Sequence, residues 1–318
     1  MPSSTDPLFA AHARDFQSNL YVYPVLSRRA GGISIGVNLN RNKYCNFNCI
    51  YCQVDLGGCE KTGTGSEPLE NLPGKLESSD APVPSLFHES SGEEFVDLQR
   101  LRNELDWTVD YVTSGRIFQD KQFGHTPEQL RRLNDIALCG DGEPTAYRNF
   151  TEAVSVCAEV RRSHHLDDVK LVLITNASLL HRWNVLPGLE ILDQNNGEIW
   201  AKLDAGTEAY YRQVARSSVP WQRILDNLRE TVRARPIVIQ TLFMRINDQA
   251  PSADEIEAYC HRLQEIVAAG GRIKLVQIHT IARRPAESYV AALSNAEVDA
   301  VAETVRRQTG LPVAGFYG

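Results

Sequence analysis

The residues best suited to chemistry are Cys45, Cys49 and Cys52, three thiols within the segment Leu39-Asn40-Arg41-Asn42-Lys43-Tyr44-Cys45-Asn46-Phe47-Asn48-Cys49-Ile50-Tyr51-Cys52. Three closely spaced thiolates can ligate three irons of a cubane cluster, whereas most electron-transfer clusters take four cysteines. The fourth iron is then open to an exogenous chelator, which makes such a site catalytic rather than merely redox-active. The same spacing also admits a zinc site completed by a fourth ligand such as Cys59. Four of the seven cysteines fall between Cys45 and Cys59, with Cys139, Cys157 and Cys260 standing singly. In a reducing compartment such clustering points to metal rather than disulfides. Cys139 reads as a buried thiol and Cys59 as a loop thiol.

Further polar groups interrupt the apolar runs downstream. Cys139-Gly140-Asp141-Gly142-Glu143-Pro144-Thr145 is a glycine-rich turn, which exposes backbone N–H and C=O groups because no Cβ blocks approach. In Thr175-Asn176-Ala177-Ser178, Asn176 and Ser178 are candidates for capping a following helix. Lys202 and Asp204 share strand parity with Trp200, so the opposite charges point to one face and suit either a zwitterion or a structural ion pair. Gln240 and Thr241 are the polar exceptions in an apolar strand, and Arg245 at its end suits a carboxylate or phosphate. His279, Arg283 and Arg284 occupy a loop after the last strand of the series.

These groups need a scaffold that brings them together. From Ile33 onward, short β-branched runs alternate with segments of helical period, the pattern of a parallel sheet built from βα units. Strands are predicted at 32–39, 135–139, 169–175, 198–203, 237–243 and 273–278, and helices at 93–113, 150–164, 179–194, 207–215, 221–234, 253–268 and 295–308. Ser252 with Glu255 forms a helix-start signal, and Gly270-Gly271 a stop. The cysteine loop, the glycine-rich turn, Asn176 and the Lys202/Asp204 pair then fall at the C-terminal ends of strands, the face on which barrels carry their chemistry. Residues 54–92 break the rhythm, being rich in Gly, Ser, Pro and Glu, and read as an insertion or a lid beside the cysteines.

The bulk properties fit such a scaffold. The 318 residues are 42% hydrophobic and 23% charged, ordinary values for a globular protein. A formal charge of −7 gives no global attraction to nucleic acid, so binding RNA would need a local basic patch. The arginine pairs Arg131-Arg132, Arg161-Arg162 and Arg306-Arg307 read as solvated helix faces and do not make one. The first residues lack the basic start and apolar core of a signal peptide, and no run of about 18 apolar residues occurs. A cytoplasmic protein with no membrane partner is expected.

The C-x3-C-x2-C loop, with the aromatic Tyr51 just before the third cysteine, resembles the defining motif of the radical S-adenosylmethionine superfamily. The resemblance implies an α/β fold, a parallel (β/α)6 partial TIM-like barrel. It also implies a [4Fe-4S] cluster on Cys45, Cys49 and Cys52, whose open iron is chelated by the methionine amino and carboxylate groups of S-adenosylmethionine. Reductive cleavage then yields a 5′-deoxyadenosyl radical that abstracts a substrate hydrogen. Gly142, Glu143 and Pro144, with Gly140 supporting the turn, match the family's motif for the methionine amino group, Asp141 being an extra residue between the glycines. Asn176 matches a polar position near the methionine or ribose, where Ala177 replaces the usual glycine. Tyr51, Lys202, Asp204 and Gln240 complete the expected cofactor contacts. Together with the Gln277-Ile278-His279-Thr280 segment, these motifs resemble the subgroup that includes wyosine-forming tRNA-modifying enzymes.

The implied organisation is an N-terminal extension at 1–32, a partial barrel at 33–284 with an insertion or lid at about 54–92, and a C-terminal helix and tail at 285–318. The implied partners are an electron donor such as flavodoxin or ferredoxin and a small-molecule, peptide or RNA substrate. A wyosine-type reaction on tRNA is one specific form of that activity, and a non-catalytic zinc or iron-sulfur protein is the rival from another class.

Overall fold

The computed structural model describes residues 16–41, 43, 45–54 and 95–318. The insertion expected at 54–92 and Cys59 lie outside the described residues, apart from Val54.

The chain begins with an antiparallel hairpin, β1 (Val22–Ser27) and β2 (Gly32–Val37). Then follow α1 (Leu98–Thr113), β3 (Leu133–Leu138), α2 (Phe150–Ser163), β4 (Lys170–Thr175), α3 (Leu186–Asp193) and β5 (Gly197–Lys202). The second half comprises α4 (Glu208–Ala215), α5 (Trp221–Ala234), β6 (Ile237–Leu242), β7 (Met244–Ile246), α6 (Ala253–Ala268), β8 (Ile273–His279), β9 (Val290–Ala292), α7 (Asn295–Thr309) and β10 (Val313–Phe316). One eight-stranded sheet runs in the order β1-β2-β3-β4-β5-β6-β8-β10, and β7 pairs with β9 separately. From β2 to β10 every pairing in that sheet is parallel, so all these strands end on one side.

The strand period separates two interiors. Ile35, Ile136, Leu171, Ile199, Ile239 and Val276 face outward and pack with Leu101, Leu105 and Val109 of α1 and Phe150 and Val154 of α2 in the main core. The alternate residues Ala137, Val172, Trp200 and Val238 form a second cluster on the inner face. A sheet with helices on its outer face and its own side chains inside must curl, and its edges do approach each other. Arg28, in the β1–β2 turn, donates from Nη1 to the carbonyl of Tyr317 just beyond β10 at 2.7 Å. The result is a half-barrel whose open side is bridged at one end.

All six predicted parallel strands are present, and the sheet adds a seventh parallel strand, β10, and the antiparallel edge strand β1. β1 carries Pro24, which lacks the N–H a central strand needs and is tolerated at the edge it occupies. β10 has only four residues, Val313–Phe316, too few for a clear period. The helix expected at 179–194 is shorter, because Pro187 fits only its first turn and the observed helix is Leu186–Asp193. Capping follows the sequence signals elsewhere: Ser252 Oγ accepts from Glu255 N at 3.2 Å, and Ser294 with Glu297 forms a capping box on α7. No helix among the described residues is long and apolar enough to cross a membrane.

Candidate functional site

The cysteine loop leaves β2 at its C-terminal end and is tied down at several points. Asn38 Nδ2 donates to Asp141 Oδ2 at 2.6 Å, while its Oδ1 accepts from the Asp141 and Asn40 amides at 3.1 and 3.0 Å. Asn38 thereby locks the loop to the glycine-rich turn after β3. Gly140 is required there: its φ is +151°, and a Cβ would fall 2.2 Å from Asn38 Oδ1. On the other flank, the Asn48 and Ile50 amides donate to the Ala215 and Val214 carbonyls at the end of α4, each at 3.0 Å.

Asn176 connects the loop to β4. Its Nδ2 donates to Asn46 Oδ1 at 2.8 Å and lies 4.0 Å from Cys45 Sγ, and its Oδ1 accepts from Ser178 N and Oγ at 3.0 and 2.6 Å. Ala177 next to it has a φ of +64°, the left-handed conformation for which glycine is preferred.

Glu143 is 2% exposed and serves as an internal acceptor. Oε1 takes hydrogen bonds from Thr145 N, Thr145 Oγ1 and Thr175 Oγ1 at 3.1, 2.5 and 2.7 Å, and Oε2 from Asn176 N at 2.7 Å. Burial pushes its pKa up despite these bonds, because no cation touches it. Pro144 opens a short 3-10 turn at Pro144–Ala146. Opposite, Asp204 accepts from the Leu242 amide at 2.8 Å and from the Tyr51 hydroxyl, and lies 3.3 Å from Lys202 Nζ. The Lys202 ammonium also sits 4.9 Å from the Tyr51 ring centroid. The Lys202/Asp204 pair thus clamps the loop through the aromatic that precedes Cys52. Gln240 Nε2 donates to Gln277 Oε1 at 2.8 Å across β6 and β8.

These groups border one cavity of about 360 Å3, within the roughly 300–1,000 Å3 common for small-molecule sites. Cys45, Cys49, Cys52, Tyr51, Gly140, Gly142, Glu143, Asn176, Lys202 and Gln240 all line it; Asp204 supports its wall, and Pro144 lies behind the turn. Burial pushes the Cys45 thiol up to about 12 and the Cys49 thiol above its usual range, so a bare thiolate is costly there. No group of three or more His, Cys, Asp or Glu among the described residues is gathered as for a single metal ion. The cysteines instead share a wall of the cavity.

Several sequence readings change. Cys139 is half-buried on the cavity wall with Sγ 3.5 Å from the Tyr23 hydroxyl, rather than a buried core thiol. Tyr23 reaches it because Gly36 leaves room: a Cβ there would lie 2.4 Å from the ring. Arg245 is occupied by Glu297 and by the Asp248 carbonyl at 2.6 Å and does not face the cavity. His279 and Arg283 do face it. Sequence reasoning missed Tyr23, Arg28, Arg29, Ser34 and Asp135, all on the same wall. Ser34 and Asp135 left a signal, being polar residues at the inward parity of apolar strands; the hairpin arginines left none.

No family model matches the chain. Among curated proteins it is 24% identical over 283 residues to one named GTPase Obg from Brachyspira hyodysenteriae, covering 87% of this chain and 32% of that protein. It is 25% identical over 171 residues to a UPF0026 protein of Helicobacter pylori, covering 54% of this chain and 39% of that one. The chain thus spans between 32% and 39% of the length of these curated relatives. Among solved structures, archaeal TYW1 is similar with a TM-score of 0.42 at 13% identity, covering 70% of this chain and 67% of that chain.

Proposed function

We propose that the protein is a radical S-adenosylmethionine enzyme that holds a [4Fe-4S] cluster on Cys45, Cys49 and Cys52. The observation that carries this reading is convergence. The cysteine loop, the Gly140–Glu143 turn, Asn176, Lys202 and Gln240 come from five separate strand ends, yet border one cavity. The residues fit the group: three soft sulfur donors line that cavity, and metal coordination would deprotonate thiols that burial otherwise keeps neutral.

When bound, the cluster and S-adenosylmethionine supply reductive cleavage to a 5′-deoxyadenosyl radical. The chain supplies binding and orientation. Asn176 holds the loop beside Cys45, and Tyr51, clamped by Asp204, fixes the segment entering Cys52. Glu143, engaged by four donors, shapes the turn and presents backbone to the cavity rather than offering a free carboxylate. Gly140 and Gly142 keep that backbone approachable. Lys202 adds a cation suited to a methionine carboxylate. An electron donor such as flavodoxin or ferredoxin completes the requirement.

The name of the Brachyspira relative does not transfer. The chain has no G-x4-G-K-S/T phosphate loop, since its Gly74-Lys75 pair is followed by Leu76. The test is anaerobic reconstitution followed by dithionite reduction in the presence of S-adenosylmethionine. Release of 5′-deoxyadenosine is expected; intact cluster spectra without cleavage would sink the reading.

A further inference from the structure

Part of the cavity wall is formed by residues outside the expected cofactor contacts, Arg28, Arg29, Ser34 and Asp135. Arg28 and Arg29 lie in the β1–β2 turn, before β2, whereas the cysteine loop follows β2. The intervening six-residue strand Gly32–Val37 separates the two backbone segments by roughly 20 Å at about 3.3 Å per residue, but the arginine side chains reach inward, Arg28 to the Tyr317 carbonyl and Arg29 to Trp200. Both segments thus border the same cavity.

Arg29 is the unusual residue here. Its guanidinium carbon lies 5.8 Å from the Trp200 ring centroid, a cation–π arrangement that leaves its in-plane N–H groups available. Among the described residues it donates no hydrogen bond and joins no ion pair. It is open to solvent through the cavity but walled by protein, and burial pulls its pKa below the usual guanidinium value. The neighbouring groups are otherwise engaged. Arg28 donates to the Tyr317 carbonyl, Asp135 accepts from the Ser34 hydroxyl, and the Trp200 indole donates to Glu198 Oε2 at 2.8 Å. His279 is neutral, held well below its usual pKa by burial and by the nearby Lys202, Arg29 and Arg28 cations, and its buried Nδ1 has no partner among the described residues.

We propose that this part of the cavity anchors the substrate, with Arg29 seated over Trp200 binding an anionic group, a carboxylate or a phosphate monoester, of a small molecule. Five donors in a planar fork match either anion. Arg28 and Arg29 beside a neutral imidazole favour negative charge, and the nearest carboxylate, Asp135, is already hydrogen-bonded. A small molecule fits better than RNA, because the cavity of about 360 Å3 has the size of a small-molecule site and the chain's formal charge of −7 gives no general attraction to a phosphate backbone. Resting on the proposed radical chemistry, the substrate's reacting carbon would point from Arg29 toward the cysteines.

Calorimetric titration of the full chain with inorganic phosphate and, separately, benzoate, at ionic strength fixed with potassium chloride, tests this. Saturable binding of at least one anion is expected, and which one binds distinguishes phosphate from carboxylate. Arg29→Gln should weaken it about ten- to hundredfold, the loss expected for a charge-assisted hydrogen bond. Arg29→Lys, which keeps the charge without the fork, should fall between, and Arg116→Gln at the exposed surface should bind as the parent does. No saturable binding of either anion, equal binding by a folded Arg29→Gln protein, or capture of a short oligoribonucleotide in place of both would overturn the proposal. Because the readout is heat and not turnover, the two readings fail separately. Arg29-dependent binding without 5′-deoxyadenosine formation would retain the subsite and sink the radical chemistry, and the reverse result would do the opposite.

Discussion

Two buried glutamates mark opposite ends of the half-barrel, and their surroundings differ in kind. Glu198, at the start of β5, lies 2.7 Å from Lys274 Nζ and 3.2 Å from Lys170 Nζ and accepts the Trp200 indole N–H. Burial pushes its pKa up, but the lysines and the indole outweigh that and hold it below the usual carboxylate value. Glu143, after β3, is met by two backbone amides and two hydroxyls with no cation in contact, and its pKa rises. The floor of the barrel is therefore a neutralised ion cluster, and the rim a hydrogen-bonded cradle that leaves room for charge brought by a ligand. Charge is balanced within the chain at one end and left to be supplied by a ligand at the other.

That division can be broken most sharply at the rim. Cys49→Ala should abolish cluster assembly, read as loss of iron and of the cluster's visible absorbance, while the unfolding midpoint of the cluster-free protein stays nearly constant. Full iron content and activity in this variant would remove the rim's assigned role. Glu143→Gln comes next. In the better orientation its amide NH2 replaces Oε2 and faces the Asn176 N–H, and losing that charge-assisted bond predicts a cost of roughly 1.5–3 kcal/mol by denaturant unfolding. Weaker binding of S-adenosylmethionine should accompany it, because Asn176 loses its anchor.

Asp135 sharpens the rule that contact with a cation sets the direction of the shift. Its carboxyl accepts from Ser34 without a cation in contact, and burial pushes its pKa up from 3.8 to about 6. The folded state then holds the proton more tightly than the unfolded one, so this carboxyl's contribution is most favourable below about pH 4 and declines as pH rises through about 6. A shift of this size corresponds to about 3 kcal/mol. Asp135→Asn should accordingly gain stability over the parent at pH 8 relative to pH 4; equal differences at both pH values would contradict the rule. The smallest effect is expected on the floor. Glu198→Gln should cost about 1–2 kcal/mol, since its lysine partners are 43–46% exposed and solvent screens them, and should leave cluster assembly unchanged.

Legibility followed the length and purity of each signal. The parallel strands were readable because β-branched runs such as Ile237–Leu242 are buried on both faces. The hairpin strand β1, with a proline and mixed Tyr and Val residues, carried no such mark, and Pro187 shortened a helix that apolar spacing had extended. Within the site, the cysteine loop, the glycine-rich turn and Asn176 were legible as local motifs. Glu143's engagement by four donors was not, because Thr175 and Asn176 lie 32 and 33 residues away.

The sequence by itself determined the donor set and the order of the elements, since thiol spacing, glycine placement and strand period are local properties. Only the tertiary structure decided what those donors share. Curling of the sheet turns alternate residues of distant strands into one wall, brings the β1–β2 turn against Tyr317, and sets Arg29 over Trp200. Such contacts depend on how the edges of a half-barrel meet, which is fixed by the twist and packing of all its strands together and by no segment alone.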